Sequence, residues 1–152
     1  MAVYAPIIAP ADLYTQQYAE VTAIITRGDN TIPTKAINSA ISEMKMYLSK
    51  FDTVQLFGSV SLNVMATVYD EFLNDLCKSI SIWHLFRLAN PNVDTELAYT
   101  WYKDAIKTLE KIQKGIMMPE QGTWPYKDTT GETAPQGDAI YSNSNPRRRE
   151  HF

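Results

Sequence analysis

Residues 68–115 read VYDEFLNDLCKSISIWHLFRLANPNVDTELAYTWYKDAIKTLEKIQKG, and this stretch decides the fold. In its first half Phe72, Leu73, Leu76, Ile80, Trp83 and Phe86 recur three and four apart, and Cys77, Ile82 and Leu85 widen that face. Such spacing marks an α-helix, and a helix apolar on most sides sits at the centre of its bundle. The pattern predicts a helix over 68–89, broken by Asn90-Pro91-Asn92. In the second half Asp94 is placed as an N-cap with Glu96 in the first turn. Leu97, Ala98, Trp101, Tyr102, Ala105, Ile106, Leu109 and Ile112 then follow helical spacing, and Gly115 stands where a left-handed cap closes a helix. At ~1.5 Å per residue each helix is roughly 30 Å long. The short link between them predicts an antiparallel hairpin.

Upstream, Ile37, Ala40, Ile41, Met44, Leu48 and Phe51 form a stripe that predicts a second helix over 34–51, with Thr34 as its N-cap. Leu13, Gln17, Val21 and Ile24 predict a first helix over 11–25, with Pro10 at its start. Arg27-Gly28-Asp29-Asn30 ends it, and the Arg-Gly-Asp triplet reads as a glycine cap followed by turn residues rather than as an adhesion motif. Between the second and third helices the period changes. Val54, Leu56, Val60, Leu62, Val64, Ala66 and Val68 fall on even positions, which suggests a short β-ribbon over 54–66 turning at Gly58-Ser59; a plain extended loop is the alternative. The expected architecture is mainly α: a small bundle of about four helices with this ribbon beside it.

The chain has 152 residues, one domain's worth at ~150 residues per domain. Its hydrophobic content of 45% and its 20% of charged residues exclude a collagen-like or wholly disordered protein. A net charge of −3 and a pI near 5.3 lack the basic footprint of a generic nucleic-acid binder. A single cysteine, Cys77, cannot form an intrachain disulfide and reads as a small buried hydrophobe. No Lys or Arg precedes Arg27, and the charge-free run 53–69 is too short and too polar to span a bilayer, so a soluble chain without an export signal is expected.

Composition shifts at Gly115. Residues 116–152 carry Pro119, Pro125, Pro135 and Pro146 with Gly122, Gly131 and Gly137 among them, which disfavours a long helix or a central strand. The division expected is a helical core over 1–115 and an extended arm over 116–152. The arm holds Trp124, Tyr126, Ile140, Tyr141 and Phe152, side chains for which an entropic spacer has little use. With Arg147, Arg148 and Arg149 they are the candidate partner-binding residues: guanidinium groups to pair with carboxylates of an adjoining subunit, and Phe152 to fill a pocket.

Sites for chemistry are sparse. There is no phosphate-cradling glycine loop, no His-Glu-x-x-His, no paired cysteine and no Gly-x-Ser-x-Gly. His84 reads as a hydrogen-bonded imidazole of a core or interface, and His151 stands outside any motif. Asp70, Glu71 and Asp75 are better used at a helix N-terminus than as metal ligands. Lys103, Lys107, Lys111 and Lys114 line one face of the fourth helix and read as a solvated stripe. The expectation is a protein that is not an enzyme and takes neither cofactor nor metal.

Several of these runs together resemble the small head–tail connector proteins of Mu-like phages and prophages. The matching order is Tyr4-Ala5, Asp12-Leu13, then Ala36-Ile37 with Ala40, Glu43-Met44 and Tyr47-Leu48. It continues with Leu76-Cys77, Ile80, Ile82-Trp83 and Leu85, then Trp101-Tyr102-Lys103-Asp104-Ala105-Ile106-Lys107 with Leu109, Ile112 and Gly115, and ends on Ser144-Asn145-Pro146-Arg147. The likeness covers about residues 4–115 and the last stretch. Its motifs are helical packing, not chemistry. The ribbon over Thr53–Thr67 departs from the family's usual Pro-rich link.

The resemblance implies a structural virion protein, a neck adaptor made in the host bacterial cytoplasm and built into the virion. It would form a homo-oligomeric ring, a dodecamer on the family's pattern, between portal protein and tail on the path of the exiting DNA. Its arm would dock on an adjoining portal or adaptor subunit, with no role for a membrane. A tail terminator or completion protein is the near alternative. A small helical DNA-binding regulator, using Lys103–Lys114 or the arginine cluster, is the distant one.

Overall fold

The central element is a helix over Glu71–Ala89, and the neighbours it collects follow from how few of its sides are polar. The computed structural model describes residues 3–16, 19–89 and 95–128. They comprise a 3-10 turn Pro10–Thr15 and five α-helices: α1 Ala19–Thr26, α2 Thr31–Tyr47, α3 Thr53–Phe57, α4 Glu71–Ala89 and α5 Glu96–Gln113. Among the described residues there is no extended sheet, only two isolated bridges. No described helix is long and apolar enough to cross a membrane.

α4 buries Leu73, Leu76, Cys77, Ile80, Ile82 and Leu85, each worth roughly 1.5–3 kcal/mol when withdrawn from water. The α2 stripe Ala36, Ile37, Ala40, Ile41 and Met44 is buried against this core, as are Ala98, Ala105, Leu109 and Ile112 of α5. α4 and α5 are antiparallel. Trp83, late in α4, meets Tyr99 and Tyr102, early in α5, with ring centroids 5.0 and 5.8 Å apart. Phe72 and Leu76, early in α4, share a surface hollow with Ala105 and Thr108. The third and fourth helices of the sequence reading are therefore present as α4 and α5, paired as a hairpin. α4 starts three residues later than expected and ends at Ala89 as expected; α5 runs from Glu96 to Gln113, and Asp94, its expected N-cap, lies outside the described residues. Asp70 caps α4 instead of Val68 opening it, its Oδ1 accepting from the Phe72 amide at 2.9 Å.

α2 starts at Thr31, three residues before the expected Thr34. Asp29 accounts for this: its Oδ1 accepts from both the amide and the hydroxyl of Thr31, at 2.9 and 2.7 Å. Arg27 and Gly28 hold left-handed φ values of +54° and +76°, so the Arg-Gly-Asp triplet is a reversal between α1 and α2. The single first helix of the sequence reading is divided, and its register is reset. Leu13 is buried in the 3-10 turn, but Val21 and Ile24 are exposed, and α1 buries Thr22, Ile25 and Thr26 instead. Gln17 lies outside the described residues.

The ribbon expected over 54–66 is a short helix followed by a tight turn. Asp52 decides the outcome, because its carboxylate accepts from the amides of Val54 and Gln55 and nucleates α3. That turn of helix buries Leu56 and Phe57 completely, a gain that alternation along a lone ribbon would not give. Val60 and Leu62, meant for the ribbon's inner face, are exposed. The only pairing here is Ser59 with Val64. Gly58 makes the turn possible, with φ +77° and room for no side chain: a Cβ there would lie 2.7 Å from the Val64 carbonyl oxygen. Replacing Gly58 by Ala is expected to cost more than the ~1 kcal/mol of an ordinary glycine effect, because the clash is with backbone. Chemical denaturation of the variant measures it.

The folded unit does not stop at Gly115. Trp124 is 2% exposed and belongs to the same core as α2, α4 and α5. The division expected between 115 and 116 therefore does not part Trp124 from the helical core. The physical cause is the size of the indole, which finds an apolar slot in its own bundle.

Candidate functional site

Three consecutive residues after α2 organise the region where the arm begins. The Lys50 ammonium donates to the Ile112 carbonyl oxygen at the C-terminal end of α5, where a cation is favoured. Phe51 is fully buried and takes Trp124 edge-on at 5.4 Å and Tyr126 stacked at 5.1 Å. Asp52 caps α3 through its side chain and donates its amide to the Pro125 carbonyl at 2.8 Å. The Lys127 amide donates to the Lys50 carbonyl at 3.0 Å, so 50–52 and 125–127 lie side by side, antiparallel at Phe51 and Tyr126.

Trp124 closes this arrangement. Its Nε1–H donates to Asp70 Oδ2 at 2.6 Å, while the other oxygen of Asp70 caps α4. One carboxylate thus fixes the start of α4 and the root of the arm together. Trp124, expected to anchor a partner, is instead spent on its own bundle. Tyr126 is 57% exposed and keeps one side available, although it too rests on Phe51. Ile140, Tyr141, Arg147, Arg148, Arg149 and Phe152 lie outside the described residues.

Beside this root runs a cleft of about 700 Å³. Val68, Ile112 and Trp124 contribute apolar surface to it, and Phe72, Met117 and Met118 form apolar walls of which Met118 is 61% exposed. Asp70, Glu71 and Glu120 supply its charge, and no Lys, Arg or His is among its lining residues. Such a cleft can take an apolar side chain together with a cation. Among the described residues, no group of three His, Cys, Asp or Glu is placed to hold a metal ion.

A second polar cluster, missed in the sequence, joins three helices. Glu43 of α2 accepts from the Tyr102 hydroxyl of α5 at 2.7 Å and contacts His84 Nε2 of α4 at 2.8 Å. Trp83 and Tyr99 pack beside Tyr102, and the Lys103 ammonium lies 4.7 Å from the centre of the Tyr99 ring. Both Glu43 oxygens are engaged, so the cluster acts as a clasp. His84 is the hydrogen-bonded imidazole the sequence suggested; the signal for its partner was Glu43 sitting beside the apolar stripe of α2. The Tyr102 phenol is pushed up to about 12, first by burial, then by its bond to Glu43 and that carboxylate's charge, with Arg87 opposing.

A tyrosine whose proton is held more tightly in the folded chain stabilises that chain fully below its unfolded value, near 10. The contribution is lost as pH rises through about 12. Stability is therefore expected to fall between pH 10 and 12, and Tyr102→Phe is expected to flatten that part of the profile. Urea midpoints across this range check it.

Cys77 is fully buried and its thiol is pushed up to about 12 by burial, opposed by the Ser81 hydroxyl, which leaves it a packing residue. Lys103, Lys107, Lys111 and Lys114 are all exposed on or just past α5. No family model matches the chain, and no curated protein or solved structure matches it significantly.

Proposed function

We propose that this protein is a structural component of a phage virion, a head–tail connector or neck adaptor subunit that assembles as a ring between portal and tail. The observation that carries the reading is the cleft beside residues 117–124, which combines apolar side chains with Asp70, Glu71 and Glu120 in a chain whose last residues are rich in Arg and aromatic side chains. A head-to-tail ring needs two different patches per subunit, and a cleft on the bundle with an arm from the same chain supplies two. The likeness of the helical runs to Mu-like connector proteins supports the same reading.

In this proposal residues beyond Asp128 dock on an adjoining subunit, with Ile140, Tyr141 and Phe152 buried in the contact. The mildly acidic charge lets the DNA duplex pass without being held. The test is genetic. A phage lacking this protein should yield filled heads and finished tails that stay separate under the electron microscope. Joined, infectious particles in its absence overturn the proposal.

The exposed lysine row on α5 favours a second reading, a DNA-binding regulator. A gel-shift titration against salt separates the two, since phosphate contacts give a steep salt slope.

A further inference from the structure

We infer that the cleft between the start of α4 and the 117–124 segment is the receptor for residues Arg147–Phe152 of a second copy of this chain. The inference rests on the neck reading for its setting and specifies which surfaces meet. The first ground is charge complementarity. The cleft carries the charges of Asp70, Glu71 and Glu120 with no basic lining residue; Asp70 already accepts from Phe72 and Trp124 and Glu71 from the Tyr69 hydroxyl, which leaves Glu120 and the second oxygen of Glu71 to meet Arg147-Arg148-Arg149, the densest basic run in the sequence. Guanidinium groups match carboxylates in geometry as well as charge, and such pairs gain most beside apolar surface.

The second ground is shape and chemistry. Phe72, Met117 and Met118 line the cleft, and methionines adapt to an aromatic ring such as that of Phe152. The third is chain length. Asp52 and Lys50 pair with Pro125 and Lys127 beside the cleft, which neither Tyr126 nor Lys127 lines. Residues 129–146 fully extended reach up to ~60 Å, enough to cross to a neighbour whose longest helices are about 30 Å. Donation to the next copy gives each subunit one cleft and one ligand, the heterologous contact that closes a ring.

Two charge-reversed full-length variants test this by analytical ultracentrifugation at low salt. One carries Glu71→Lys and Glu120→Lys; the other carries Arg147→Glu, Arg148→Glu and Arg149→Glu. The unmodified chain should self-associate, and added salt should weaken that association. Each variant alone should associate at least about tenfold more weakly, and mixing the two should restore association because opposite charges again face each other. Thermal melts matching the unmodified chain establish that both variants fold.

A chain that stays monomeric at all concentrations overturns the inference. So does self-association that neither variant weakens. Particles that still need the protein for joining, with the cleft variant joining them normally, remove this contact and leave the neck reading standing.

Discussion

Replacing Trp124 by Ala is expected to cost the isolated chain ~3–5 kcal/mol, the usual range for deleting a buried large aromatic. The indole is 2% exposed, lies edge-on to Phe51 and donates to Asp70. Its loss leaves a cavity beside Phe51 and removes one of the two bonds that hold the Asp70 carboxylate. The more conservative Trp124→Phe loses the N–H donor and part of the ring volume, at about 2–3 kcal/mol. Urea denaturation of both variants measures these losses. A Trp124 that served a partner alone would leave the isolated chain's midpoint unchanged in both.

The second large effect is expected between two truncations. A chain ending at Gly115 loses Trp124, Tyr126 and the pairing of 125–127 with 50–52, and it uncovers Phe51. That removes a large share of the 5–15 kcal/mol typical of a domain's total stability. Such a chain is expected to melt far earlier than the full chain, or to show no cooperative transition. A chain ending at Asp128 keeps every one of those contacts. It is expected to melt within about 0.5 kcal/mol of the full chain at concentrations too low for self-association. Scanning calorimetry of the pair reads both. Equal melting of the two truncations would remove the 117–128 segment from the folded unit.

These expectations show which parts of the molecule the sequence disclosed. The α4–α5 hairpin and the α2 stripe were legible because helical spacing is local, and a one-sided or all-round apolar pattern names the element and its place in the bundle. The ribbon over 54–66 was misread because alternation of Val and Leu is a weak signal over so few residues. One capping carboxylate, Asp52, outweighed it. The register of α1 is not legible in the spacing of Leu13, Gln17, Val21 and Ile24, because a 3-10 turn and a separate helix stand where that spacing implies one helix.

The site was legible in half. The apolar and basic character of the arm is plain from composition, but composition does not tell that its one indole, Trp124, packs on its own bundle. Its hydrogen-bond acceptor, Asp70, lies 54 residues from Trp124, and no local pattern connects the two. Glu43 likewise has no partner that local sequence points to. Its two partners stand on other helices, 41 and 59 residues away. Long-range polar pairs of this kind are chosen by packing after the helices dock, so periodicity carries no trace of them.

The position of this chain in a particle is the most direct measurement left. Cryo-electron microscopy of intact virions that encode it, focused on the junction of head and tail, should show a ring of helical bundles between portal and tail. Each bundle should present the α4–α5 hairpin, with density from one copy's arm lying on a neighbouring subunit. Virions whose junction has no density into which this bundle fits, and whose purified particles lack the chain by mass spectrometry, would contradict a connector role.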